Sequence, residues 1–155
     1  MKNFRFFIIL LVFLINIQSA QSATISEAAE FFNYFTSLSN SYSTELFQFY
    51  SPNAIIKRIL IKNDGSKEEF TLQTHSYLKK LKLYSKIAGI KGYKNIYQGV
   101  TYKKHDGGFL ISGYRTPTTN KTEKFPFSYL ITQTASGKWV ILEDITQTKN
   151  AALLK

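Results

Sequence analysis

Two cations, Lys2 and Arg5, precede the apolar run FFIILLVFLI (Phe6 to Ile15) and a small-residue exit, NIQSAQSA. That order is the order of a secretory signal peptide. A membrane-spanning helix needs about 20 predominantly apolar residues, whereas here polar residues return at Asn16 and Gln18. Cleavage is expected near residues 20–23, because Ala20-Gln21-Ser22 and Gln21-Ser22-Ala23 each end on a small residue. An uncleaved anchor is the alternative. On the first reading residues 1–22 are removed, the protein is periplasmic or secreted, and only the mature chain has to fold. The sequence has no cysteine. It therefore lacks both a lipid-attachment site and disulfides, and packing alone must hold it together in an oxidising compartment.

The mature chain is the size of one domain, large enough for a real core. Loss of the leader takes Lys2 and Arg5 from a chain of formal net charge +10 and leaves it basic. The mature part is rich in Phe and Tyr, poor in Pro and free of low-complexity runs, so it is not a disordered sequence. Neither a repeat nor a linker divides it. A single domain over residues 24–148 with a short tail, 149–155, is the expectation.

Thr24-Ile-Ser-Glu27 has the spacing of a capping box, and Ala28, Phe31, Phe32, Phe35 and Leu38 then recur at helical spacing. SLSNSYS, residues 37–43, breaks this first helix, and a short second helix over Thr44 to Tyr50 stops at Ser51-Pro52-Asn53. AIIKRILI (Ala54 to Ile61), the turn Asn63-Asp64-Gly65-Ser66 and KEEFTLQ read as a hairpin. A third helix covers about Thr74 to Ala88, ended by Gly89 or Gly92. Four strands come after it, roughly 93–104, 109–116, 125–134 and 138–147. Strands in runs with helices gathered on one face indicate an α+β domain of order ααββαββββ.

With that order, and with FYSPNAII after the second helix and GKWVILED in the last strand, the chain resembles the nuclear transport factor 2-like (SnoaL-like) superfamily. The resemblance spans nearly the whole mature chain. It implies three helices on a curved, antiparallel, mostly six-stranded sheet, a cystatin-like cone with an internal pocket. Two departures bear on chemistry. Asn53 stands where many relatives carry Asp, and Ile145 follows Glu143-Asp144 where relatives often carry His. Relatives that isomerise or dehydrate use a buried acid, and the resemblance makes Asp144 the candidate base here, with a tyrosine as proton donor. Strict alternation groups Asp144 with Val140 and Leu142, opposite Trp139, Ile141 and Ile145. Both faces are apolar, so alternation leaves open which one looks inward. The bland reading pairs Asp144 with a lysine at the strand end.

No other catalytic set is legible. His75 and His105 are far apart and supply no metal-ligand spacing. No phosphate-binding glycine loop, nucleophile elbow or catalytic cysteine is present, so neither metal nor cofactor is expected. Residues 79–105 carry eight lysines and four tyrosines and no acid. At about 100° per residue, Lys79, Lys82 and Lys86 share the outer face of the third helix, with Tyr77, Leu78, Leu81, Tyr84 and Ala88 opposite. Such a face is either merely solubilising or suited to an anionic membrane surface or acidic partner. Export argues against nucleic acid.

Tyr34, Phe35, Phe49, Tyr50, Tyr77, Tyr97, Tyr114, Tyr129 and Trp139 are candidates to line a pocket, since ligand pockets are mostly apolar with a few placed hydroxyls. The same aromatics could instead fill the cone. Phe125, Phe127, Tyr129 and Ile131 share one side of their strand, and an aromatic sheet face left uncovered would favour a homodimer. The function expected is non-catalytic binding of a small apolar or amphipathic ligand or a protein partner. The alternatives are an isomerase or dehydratase with Asp144 as base, and a structural component of an envelope assembly.

Overall fold

The structure, a computed structural model, describes residues 23–151 and Leu154; the expected signal peptide lies outside the described residues. Helix α1 spans Ile25–Asn40 and begins with the capping box read from sequence. Thr24 Oγ1 accepts from the Glu27 amide at 3.2 Å, and Glu27 Oε2 accepts from the Thr24 amide at 2.7 Å. The five apolar residues of the expected stripe are all buried. The helix outlasts its expected end by about a turn because a Schellman motif closes it. The Tyr42 amide donates to Ser39 O and the Ser43 amide to Leu38 O, with Tyr42 left-handed at φ 60°. A tyrosine sits where glycine is usual because its side chain is used: its hydroxyl donates to Tyr93 O at 2.8 Å.

A 3-10 helix, Thr44–Phe49, leads into β1 (Tyr50–Ile61), which starts earlier than expected and carries Pro52 within an irregular stretch. The hairpin to β2 (Lys67–Leu72) forms as expected, with Gly65 at φ +82° and Asp64 accepting from Ser66. Helix α2 spans Thr74–Lys91 and ends at left-handed Gly92. Strands β3 (Asn95–His105), β4 (Gly108–Pro117), β5 (Phe125–Gln133) and β6 (Trp139–Thr148) complete the chain.

The six strands form one sheet in the order β2-β1-β6-β5-β4-β3. Every pairing is antiparallel except β1 with β6, which are parallel. That one pair is the exception within the expected curved six-stranded sheet. It results from returning the last strand to the middle of the sheet beside the first.

Helix α1 lies on the concave face. The Phe32 ring stacks on Phe127 at 5.6 Å and meets Tyr97 edge-on at 5.5 Å, and Phe35 meets Tyr129 at 5.6 Å. Each such pair contributes roughly 0.5–1.5 kcal/mol beyond its buried area. The aromatic face of β5 is therefore the covered one: Phe125, Phe127, Tyr129 and Ile131 are all buried. The premise of a bare aromatic sheet for dimerisation does not hold. The opposite face of β5 carries half-buried Pro126, Ser128, Leu130 and Thr132 instead.

Candidate functional site

β-Bulges decide which side chains enter the cone. In β6, Glu143 pairs with Leu130, but Ile141 pairs with Ile131, so Leu142 is an extra residue. A bulge of this kind resets the alternation. Trp139 and Ile141 face the concave side before it, and Asp144, Thr146 and Thr148 face the same side after it. Ile141 and Asp144, placed on opposite faces by strict alternation, are thus both buried in the cone, Asp144 at 0% exposure. A second bulge after Gln98, with Gly99 at φ +59°, turns both Tyr97 and Tyr102 inward.

The partner of Asp144 is not a surface lysine but Arg58, which enters from β1. Arg58 Nη1 donates to Asp144 Oδ1 at 2.9 Å and Nη2 to Asp144 Oδ2 at 2.7 Å. Nη1 also reaches the carbonyls of Asp144 and Lys57. Tyr50 Oη donates to Asp144 Oδ2 at 2.7 Å, and Tyr77 Oη accepts from Arg58 Nη2. The guanidinium also lies 4.6 Å from the Tyr77 ring centroid. All four side chains are buried.

These contacts set the electrostatics. Burial pulls the Arg58 guanidinium down, but the charge and hydrogen bond of Asp144 together with Tyr77 and Tyr50 outweigh it and leave Arg58 well above its usual range. Burial lifts the Tyr50 phenol well above its usual value, and the neighbouring Asp144 adds to the rise. Burial raises Tyr77 as well, with Arg58 opposing. Tyr129 goes well up and Tyr97 up to about 12, both chiefly through burial. The cone therefore presents neutral phenols and one closed ion pair.

Beside this cluster the cone is open. A cavity of about 250 Å³ is bounded below by Phe35, Tyr50, Arg58, Tyr77, Tyr97 and Tyr129. Leu46, Leu81, Arg115 and Thr146 also line it, and Tyr84, Ile87, Asn150 and Leu154 lie along its wall. Asp144 is not among the lining residues: Arg58 and Tyr50 occupy both of its oxygens.

Five of the nine aromatic pocket candidates (Phe35, Tyr50, Tyr77, Tyr97 and Tyr129) meet in this cavity. The other four do not. Tyr34, Phe49 and Trp139 border a shallow depression with Glu27, Glu30 and Phe31. Tyr34 and Phe49 pack edge-on at 6.1 Å, and Trp139 stacks on Phe31 at 5.6 Å. Tyr114 is 48% exposed on the convex face, because Phe109, Ile111 and Arg115 take the inward positions of β4.

Lys79, Lys82 and Lys86 are exposed, as expected. Their face is not uniformly polar: Leu83, Ile87 and Ile90 are exposed among them at 62%, 43% and 88%. His75 and His105 are both exposed, and among the described residues no three His, Cys, Asp or Glu side chains gather where a metal could bind.

Sequence reading missed Arg58 and Arg115. A signal for Arg58 was present: Lys57 and Arg58 are adjacent in a strand, so one of the two must face the core side.

No protein-family model and no curated protein matches the chain. Solved structures do. A nuclear transport factor 2-like protein of unknown function from Pseudomonas putida superposes with a TM-score of 0.61 at 8% identity, over 79% of this chain and 84% of that one. A Streptomyces avermitilis protein of the same family, provisionally assigned as a dehydratase, gives 0.60 at 9% identity, over 79% and 94%. The yeast UBP3-associated protein BRE5 gives 0.56 at 14% identity, over 80% and 95%. The chain has the nuclear transport factor 2-like cone fold that its sequence resembles.

Proposed function

We propose that this is an exported, non-catalytic binding domain that holds a small amphipathic molecule in its cone. The observation that carries this reading is the cavity itself, apolar in its walls with tyrosine hydroxyls at its floor, the usual make-up of a ligand site. Its volume of about 250 Å³ suits a small molecule. Asp144, the residue proposed as base in the enzymatic alternative, spends both oxygens on Arg58 and Tyr50, which favours binding over proton abstraction. Native mass spectrometry of the mature protein, purified gently from its host, tests the reading. An extra mass extractable into organic solvent is expected, and a clean unliganded mass would count against a resident ligand. In the same spectrum, a mature chain starting near residues 21–24 supports export.

A second reading rests on α2. Leu83, Ile87 and Ile90 recur at i, i+4 and i+7, with Lys79, Lys82 and Lys86 on one side and Lys80 and Lys91 on the other. An exposed apolar stripe bordered by lysines suits the surface of an anionic membrane. Each well-placed lysine contributes about 1 kcal/mol there. Sedimentation with anionic liposomes at low and high salt tests it, binding that weakens with salt and with Leu83→Ser/Ile90→Ser being the expected result. A protein partner is the remaining option, and BRE5 is a protein of this fold that is by name associated with another protein.

A further inference from the structure

Two arginines reach the cavity wall, and their charges stand differently. Arg58 is matched by Asp144. Arg115 is not matched: among the described residues no ion pair involves it. Its Nη2 donates to Gln147 O at 3.0 Å, and its Nε is buried without a hydrogen-bond partner in the protein. A guanidinium has five N–H donors, and leaving a buried one unmet is unfavourable. Arg115 also sits directly across the strand pair from Tyr97. Its charge lowers the Tyr97 and Tyr77 phenols against the effect of burial, as expected of a cation close to both hydroxyls.

The phenol hydroxyls beside it can donate as well. The Tyr77 hydroxyl accepts from Arg58, which leaves its own proton to give. The hydroxyls of Tyr97 and Tyr129 have no hydrogen-bond partner among the described residues. The one carboxylate nearby is closed off by Arg58 and Tyr50. A site with one unmatched positive charge and several hydroxyl donors is complementary to an acceptor with one negative charge.

We propose that the ligand is a small monocarboxylic acid, ionised, with its carboxylate on Arg115 and its apolar part along Phe35, Leu81 and the tyrosine rings. A single carboxylate balances the single cation, whereas a phosphate dianion would overcharge it. Since an apolar cavity of about 150 Å³ holds benzene, about 250 Å³ accommodates an acid on the order of ten heavy atoms. This rests on the reading of the cone as a ligand site.

Calorimetric titration of the mature protein with octanoate, octanol and octylamine tests it. Octanoate is expected to bind at least about ten-fold tighter than octanol, with octylamine weakest. Arg115→Met should erase that preference, and Arg115→Lys should keep part of it. Octanol binding as tightly as octanoate to the wild-type protein would overturn the proposal and leave the ligand-site reading intact. The same holds if Arg115→Met, shown folded by thermal melting, retains the preference. Failure of all three compounds to bind would remove both. The wild-type comparison decides the matter even if the Met variant does not fold.

Discussion

Arg58 and Asp144, 86 residues apart in sequence, grip each other through two hydrogen bonds of 2.9 and 2.7 Å inside the cone. They come from β1 and β6, the one parallel pair of the sheet. Breaking a buried pair by removing one partner leaves an uncompensated group and typically costs about 3–5 kcal/mol. Asp144→Asn and Arg58→Met should each lose on that order in urea unfolding. The double variant Arg58→Met/Asp144→Leu should recover much of the loss, because no charge is then stranded. Additive losses would contradict this account.

The tyrosines give the fold an alkaline limit. A tyrosine in the unfolded chain ionises near 10, and Tyr97 in the cone near about 12. The folded state holds that proton more tightly, so the associated stability is complete below pH 10 and is lost as pH rises towards 12. Absorbance titration near 295 nm should show Tyr50, Tyr77, Tyr97 and Tyr129 ionising above the ordinary phenol range, together with unfolding. A single transition near pH 10 for every tyrosine would be the contrary result.

Gly89 lies within α2, and a Cβ there would meet the Tyr42 ring at 3.4 Å, an ordinary contact. Glycine is about 1 kcal/mol worse than alanine in a helix interior. Gly89→Ala should therefore stabilise the domain by about that amount, read as a rise in the urea midpoint.

Neighbouring glycines in the β3–β4 turn should respond in opposite ways. Gly107 has φ +77° and open space around it, so Gly107→Ala should cost only the left-handed penalty of about 1–2 kcal/mol. Gly108 pairs with Thr132 so closely that a Cβ would lie 2.0 Å from the Ile131 carbonyl oxygen. Gly108→Ala must part β4 from β5 there and should cost about 3 kcal/mol or more. Melting temperatures of the two variants, measured side by side, check the order.

The elements of this fold were legible because local chemistry specifies them. The Thr24–Glu27 box, the Asp64-Gly65 turn and the Phe31–Phe35 stripe each act within a few residues. Side-chain facing in the last strand was not legible. The bulge at Leu142 depends on how β6 registers against β5, and no pattern within VILEDI marks it. Arg58 was hidden for a related reason. Its neighbour Lys57 is an equal candidate for the interior, and only the position of Asp144, supplied from the far end of the chain, distinguishes them. Arg115 comes after an uninformative Gly113-Tyr114, and its inward direction depends on the parity fixed by Phe109 and Ile111. Tyr114 was misplaced by the same uncertainty.

The parallel pairing of β1 with β6 has a consequence for the order of events during biogenesis. Strand β1 is the first strand of the described sheet to be made, yet its central neighbour β6 is the last. Until β6 emerges, β1 has only its hairpin partner, and the guanidinium of Arg58 has no counter-charge. Contacts so distant in sequence form slowly. The delay keeps β1 open along one edge until β6 arrives to close the sheet.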